Sequence, residues 1–206
     1  MADTKISALT AVSAVVAANE FAVNEAGTSK KASAAQIADF LGMQKTHLES
    51  AYTNNSTTGT EVADLSFTGL VAGTYYVCWH LLMQSVATTT SPKFGVNYTG
   101  TVTRMSMTAQ FPSAGVTAAT GQIANAANAT TGQVWAYANT TTESTTAPNL
   151  GPWTGVVTQN VDIYMKIEGV VVVSDSGDLE LWAGSEVAAS QIQLSVGSCG
   201  MLVRMN

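Results

Sequence analysis

The stretch "EVADLSFTGLVAGTYYVCWHLLMQS", residues 61–85, decides the fold. Within it Tyr75, Val77, Trp79, Leu81 and Met83 recur at every second position, and Tyr76, Cys78, His80, Leu82 and Gln84 fill the positions between. A period of two belongs to an extended strand, whose side chains alternate between the two faces of a sheet. Both sets are largely apolar. The spacing therefore predicts a central strand over 74–85, covered on both sides. Val71–Ala72–Gly73 reads as the turn before it, and a shorter strand around Leu65–Phe67 precedes that turn.

The same period continues toward the C-terminus. "KFGVNYTGTVTRMSMTAQF" (93–111) gives two strands about a turn at Thr99–Gly100, and "QVWAYANT" (133–140) gives a short one. "NVDIYMKIEGVVVVSDSGDLELWAG" (160–184) reads as a strand, a second strand, a Ser-Asp-Ser-Gly turn and a third strand. "SQIQLSVGSCGMLVRMN" (190–206) adds two more short strands. Residues 113–134 show no clear period, and residues 140–155 form a Thr/Pro/Gly loop. About eight or more antiparallel strands with evenly spaced turns predict a mainly β protein, a two-sheet antiparallel sandwich of jelly-roll form. Without amphipathic helices between strands, a parallel α/β fold is excluded.

Residues 1–42 read differently. Ile6 and Leu9 lie three apart in "TKISAL", a spacing shared by helix and strand. "EFAVNEAGTSKKAS" (20–33) places Phe21 and Val23 in alternation, turns near Glu25–Ala26–Gly27 and returns through the basic pair Lys30–Lys31, as a small hairpin does. Ser33 then stands as an N-cap, Ala34, Ile37, Phe40 and Leu41 form an apolar stripe at helical spacing, and Gly42 is the C′ stop. A helix of two to three turns is marginal alone, so its stripe must dock on something. Residues 43–60, "MQKTHLESAYTNNSTTGT", lose periodicity and become polar; they are expected to link the 1–42 arm to a 61–206 β domain.

Composition narrows the function classes. The chain has 206 residues, 46% of them apolar and only 11% charged, with a net charge of −6. That is enough apolar material for a real core, and too little charge for ordinary disorder. An acidic chain with no basic stripe gives no support to non-specific nucleic-acid binding, and no apolar run approaches the ~20 residues of a membrane span. "MADTKISALT" carries no apolar signal core, so synthesis in a cytoplasm without signal-peptide export is expected. Asn-X-Ser/Thr triplets, as at Asn54 and Asn97, are then products of composition. The two cysteines, Cys78 and Cys199, sit in apolar strand-like runs and read as buried free thiols.

No nucleophile elbow, zinc-protease helix, CxxC pair or phosphate loop is present in the sequence. His80, within an apolar strand, reads as a hydrogen-bonded histidine of the core or of a subunit interface; His47 reads as solvated. Asp162, Glu168, Asp175, Asp178, Glu180 and Glu186 concentrate acid toward the C-terminal third, as a glycosidase carboxylate pair would need, and Asp175 and Asp178 in "SDSGDLE" have the oxygen chemistry of a calcium loop without the full EF-hand spacing. They read as polar turn residues. The aromatics alternate with the strand pattern and read as packing residues; Trp153, in "NLGPWTG", is the one placed in a loop where a sugar could stack. The expectation is a protein without catalytic residues, metal or cofactor.

Lys5–Leu9, Glu20–Val23, Gly27–Lys31 and Ala34–Ile37 together resemble the amino-terminal module of many tailed-phage virion proteins: a "KISAL" start, an acidic-Phe-X-Val segment, a Gly-Thr-X-Lys turn and "AAQI". The segments "DLSFTGLVAGTYYVCWHLLMQS", "KFGVNYTGTVT" and "IEGVVVVSDSGDLELWAGSEVAAS" resemble the carboxy-terminal domains of phage head-decoration and fibre proteins, trimeric β-sandwiches related in shape to the TNF-type jelly-roll. The resemblance implies a homotrimer on the virion surface, made in the host cytoplasm, whose arm (Ile6, Leu9, Phe21, Val23, Lys30, Lys31, Ile37, Phe40 and Leu41) docks on the major capsid protein as a cement. The alternative it implies is a short tail or head fibre that recognises a host glycan, with Trp153 as the contact. The chain has no long repetitive shaft between its modules, which favours a compact knob.

Overall fold

The computed structural model describes residues 20–25, 27–34, 36–37, 42–113, 134–140, 150–151, 155–156 and 158–205. The chain divides into two compact units, 1–43 and 44–206. In the first, β1 (Glu20–Glu25) and β2 (Thr28–Ser33) pair antiparallel, with Glu25 opposite Thr28 and Gly27 at φ 81° in the connection. Ser33 caps the helical residues that follow. Its Oγ accepts the Gln36 N–H at 3.1 Å, and the Gln36 side-chain oxygen accepts the Ser33 N–H at 2.8 Å. This reciprocal box satisfies two otherwise orphaned donors. Gly42 takes φ 60°, in the left-handed region that glycine enters without strain.

The second unit is mainly β, with two antiparallel sheets around one core. Its strands are β3 (Met43–His47), β4 (Tyr52–Asn54), β5 (Thr60–Glu61), β6 (Phe67–Leu70), β7 (Gly73–Ser85), β8 (Pro92–Tyr98), β9 (Val102–Ser113), β10 (Val134–Thr140), β11 (Ile163–Val173), β12 (Gly177–Ser185), β13 (Ile192–Leu194) and β14 (Cys199–Arg204). In the eight-stranded sheet the order runs β10-β9-β11-β7, and the other edge of β7 is taken by β13 at one end and β14 at the other, backed by β4 and β3. In the four-stranded sheet β12 lies between β8 on one edge and β5 with β6 on the other. Strands divide eight to four, unlike the even split of a two-Greek-key jelly-roll, so antiparallel sandwich is the description that the strand order carries.

The core lies between the sheets. Val77, Trp79, Leu81 and Met83 of β7 are fully buried with Met165, Ile167 and Val171 of β11, against Phe67, Phe94, Val96, Leu179 and Leu181 of the smaller sheet. Trp79 crosses the gap. Its indole ring lies 5.6 Å from the Phe67 ring, and its Nε1–H donates to the Leu65 carbonyl at 2.8 Å. Gly200 sits opposite Trp79 on β14, where a Cβ would fall 2.8 Å from Trp79 Cδ1 and 2.9 Å from Phe67 Cζ. Glycine there makes room for the aromatic pair.

Three expectations change. Residues 43–60 are no linker: β3, β4 and β5 belong to the sheets. Several of their polar side chains, Gln44, Tyr52 and Asn54, face inward to backbone groups. Tyr52 Oη donates to the Ala183 carbonyl at 2.7 Å, and Asn54 Nδ2 donates to the same oxygen at 3.0 Å, tying β4 to β12 across the sandwich. Leu65 belongs to a 3-10 turn, Ala63–Leu65, closed by Leu65 N–H to the Val62 carbonyl at 2.8 Å, and the strand begins only at Phe67. The first two of the three strands expected over 160–184 are one, β11, and Gly169 within it allows a close approach: a Cβ there would meet the Ser106 carbonyl oxygen at 2.1 Å.

Trp79→Ala is expected to lower unfolding stability by about 3–5 kcal/mol, the range for deleting a buried large aromatic. Gly200→Ala, one methyl group in the same place, is expected to cost about 1–3 kcal/mol by overpacking. Urea unfolding at one fixed protein concentration measures both; an unchanged midpoint for Gly200→Ala would remove the close-packing argument.

Candidate functional site

The hairpin carries four of the expected docking residues. Phe21 pairs in register with Ala32, Val23 with Lys30, and Ala22 with Lys31. Consecutive strand residues point to opposite faces, so the two lysines do not form one basic patch. Lys31 is already engaged: its Nζ lies 2.6 Å from Glu20 Oε1, an exposed pair worth roughly 0–1 kcal/mol. Phe21 is 38% exposed, Lys30 is exposed and Ile37 is half-buried. Ile6, Leu9, Phe40, Leu41 and Trp153 lie outside the described residues.

The acidic turn fastens loops. Asp175 accepts the Thr101 N–H at 2.6 Å and the Thr101 hydroxyl at 2.9 Å, and these bonds hold its carboxyl below the usual aspartate range. Asp178 Oδ1 accepts the Gly69 N–H at 2.7 Å. Both carboxylates serve as acceptors that join the β8–β9 and β11–β12 connections and the middle of β6. Among the described residues no group of three or more His, Cys, Asp or Glu side chains is placed to hold a metal ion, and no helix is long and apolar enough to cross a membrane. A groove of 330 Å³ passes Leu48, Tyr52, Glu61 and Asp64, and another of 290 Å³ passes Thr53, Asn54, Thr60 and Gln191; neither is lined by a histidine or cysteine.

Chemistry-bearing residues gather instead on the outer face of the eight-stranded sheet. Register places them in rows across β9, β11, β7 and β14. One row reads Ser106, Val170, Tyr76, Val203; the next Thr108, Glu168, Cys78, Met201; the next Gln110, Lys166, His80, Cys199. Tyr164 then stands beside Leu82. Glu168 takes the Tyr76 hydroxyl at 2.5 Å on one oxygen and the Lys166 ammonium at 2.5 Å on the other. Lys166, then Tyr76, hold its carboxyl below the usual glutamate range, while burial opposes them. The bond to Glu168 and burial push the Tyr76 phenol up. His80 Nδ1 lies 2.6 Å from Tyr164 Oη, with the rings stacked, and its Nε2 lies 3.3 Å from Cys78 Sγ. Burial is the first cause that raises the Cys78 thiol above its ordinary 9.0, which keeps it protonated and a poor nucleophile.

Two expectations are corrected on this face. His80 is hydrogen-bonded as expected but exposed, which removes the core half of its reading, because its position belongs to the outer set of β7. Cys78 is buried but Cys199 only partly so, since β14 lies one strand further toward the edge. The cover expected over the outer set of β7 is absent from the described chain: Tyr76 and Leu82 are half-exposed, and Tyr164 is 44% exposed beside them. The sequence reading missed the Tyr76–Glu168–Lys166 group and the Gln36 half of the helix cap. The second has a sequence signal, the Ser-X-X-Gln spacing; the first has none, because pairing of β7 with β11 is long-range.

The outer face of the smaller sheet is ordinary by comparison. Trp182, partly exposed, donates its Nε1–H to Glu180 at 2.9 Å, and Asn97 Nδ2 donates to the same carboxylate oxygen at 2.9 Å. No protein-family model matches the chain, and no curated protein matches it.

A depressed folded-state pKa at Glu168 adds stability above the ordinary glutamate value of 4.5, and that stability is lost as pH falls through the lower folded value. Glu168→Gln is therefore expected to melt below the native chain at pH 7, with the gap closing as the pH is taken below 4.5 and downward. Thermal unfolding by circular dichroism across that range checks it; a gap that stays constant with pH would sink the assignment.

Proposed function

We propose that this chain is a phage head-decoration protein: a structural, non-catalytic homotrimer that binds the outer surface of the major capsid lattice and stabilises the head. The observation that carries the reading is the division into a small unit, 1–43, containing a capped helix start and a hairpin, and an antiparallel sandwich, 44–206. The small unit bears the residues that resemble phage virion modules. Phe21 and Ile37 supply apolar contact there, and the lysines add little, since exposed ion pairs are weak. Three weak arms on one trimer act together, because the first to bind raises the effective concentration of the others. This gives firm attachment without any strong single contact.

A short fibre that recognises a host glycan is the second reading. Trp182 favours it, as a partly exposed aromatic beside Asn97 and Glu180, the kind of surface on which a sugar ring stacks and hydrogen-bonds. Copy number per purified virion, measured by mass spectrometry against the major capsid protein, separates the two. Hundreds of copies are expected for a lattice decoration. A dozen or fewer would overturn it in favour of the fibre.

A further inference from the structure

We infer that the β7–β8 and β12–β13 connections form one internal two-fold clasp between the sheets, and that Glu186 makes the clasp close more firmly as the medium turns acid. The clasp belongs to the sandwich alone and depends on neither the capsid nor the trimer reading.

Its hydrogen bonds come in matched pairs. β7 and β13 belong to the larger sheet, β8 and β12 to the smaller, so the two connections cross between sheets in opposite senses. Each begins with a buried serine that folds back on the residue two further along. Ser85 Oγ donates to the Ala87 carbonyl at 3.0 Å, and Ser185 Oγ donates to the Val187 carbonyl at 2.9 Å. Each then turns by the same bond: Thr90 N–H to the Ala87 carbonyl at 3.1 Å, Ser190 N–H to the Val187 carbonyl at 3.2 Å. The two turns also grip each other. Val86 N–H donates to the Gln191 carbonyl and Glu186 N–H to the Ser91 carbonyl, both at 3.1 Å. At the centre, Thr90 and Ser190, 100 residues apart in the chain, share a hydrogen bond of 2.6 Å between their hydroxyls. Beyond the turns Ile192 pairs with Ser85, and Pro92 with Ser185, in the same register.

Strained backbone gathers at the same place. Among the described residues two that are not glycine have positive φ, Asn160 at 55° and Ala189 at 62°. Asn160 N–H donates to the Ser85 carbonyl, and Ala189 N–H, within the second connection, donates to the Asn55 carbonyl, each at 2.8 Å. Such conformations persist only where the surrounding structure over-determines them, so both depend on the clasp staying shut.

One position breaks the match. The mate of Val86 is Glu186. Val86 is 44% exposed, whereas Glu186 is half-buried, its carboxylate accepting the hydroxyl of the fully buried Ser91 at 2.5 Å. Lys93 is the charge that acts on it, its ammonium bonded to the Thr57 carbonyl at 3.1 Å. The adjoining segments 55–59, 86–91 and 187–191 carry no ionisable side chain. Tyr52, on β4, donates its hydroxyl to Ala183, and Asp162, beyond Asn160, is held by Gln84 and Ser195. Burial costs a carboxylate more than a carboxylic acid. It pushes the Glu186 carboxyl above its ordinary 4.5, against the pull of Ser91 and Lys93. A group raised in the closed state adds stability that is full below its ordinary value and lost as pH rises through the raised one. Protonation of Glu186 therefore tightens the clasp in acid, opposite in sign to Glu168.

The test compares the full native chain with Glu186→Gln, which stays neutral, by hydrogen exchange read on peptides covering 85–91 and 185–191. At pH 7 the variant is expected to be better protected in both segments; at pH 4 the difference is expected to vanish from both. Equal or weaker protection of the variant at pH 7, or a difference that persists at pH 4, overturns the role of Glu186. A change confined to 185–191 overturns the shared clasp, since the reciprocal bonds tie the opening of one turn to the other. Thr90→Val removes the central hydroxyl without touching Glu186. It is expected to lose protection in both segments at both pH values; loss in 85–91 alone, or in neither, overturns the clasp as well.

Discussion

Trp79 has to be enclosed from both sheets at once, and most of the sandwich follows from that constraint. Its indole N–H would be an orphan in an apolar core, so a carbonyl must be aimed at it, and the 3-10 turn at Ala63–Leu65 presents that of Leu65. The turn fixes where β6 begins, and β6 brings Phe67 against the indole ring. On the neighbouring strand nothing larger than Gly200 fits. One side chain thereby sets the contact between sheets, the start of a strand and a glycine more than a hundred residues away in the chain.

What could be read from the residues follows the range of the interaction involved. Strand β7 was legible almost to its ends, because an uninterrupted period of two needs no partner to be recognised. The hairpin at Glu20–Ser33 and the cap at Ser33 were legible for the same local reason. Residues 43–60 were not, because their inward groups are polar: Tyr52 and Asn54 satisfy the Ala183 carbonyl on a strand distant in sequence, and hydropathy has no sign for that. The continuity of β11 through Gly169 was hidden for a related reason. A glycine that admits a neighbouring backbone and a glycine that ends a strand are the same letter.

The candidate site was legible only by halves. Alternation in β7 already required cover on both sides, and that requirement stands on the residues themselves. Which groups share the uncovered side depends on register with β11 and β14, a long-range property. Register turns scattered letters into a surface: a glutamate, a lysine and a tyrosine that neutralise and satisfy one another, set among valines, a methionine and two thiols.

The two units then divide the labour on physical grounds. The hairpin unit offers little area, and its Lys31 is already paired with Glu20, so a single copy has few means of holding a large partner firmly. On the proposed reading the sandwich answers that deficiency by number: a trimer carries three arms, and arms that act together turn weak apolar contacts into lasting attachment. Under that arrangement a substitution that splits the trimer, in a unit separate from the hairpin, loosens attachment by removing avidity alone.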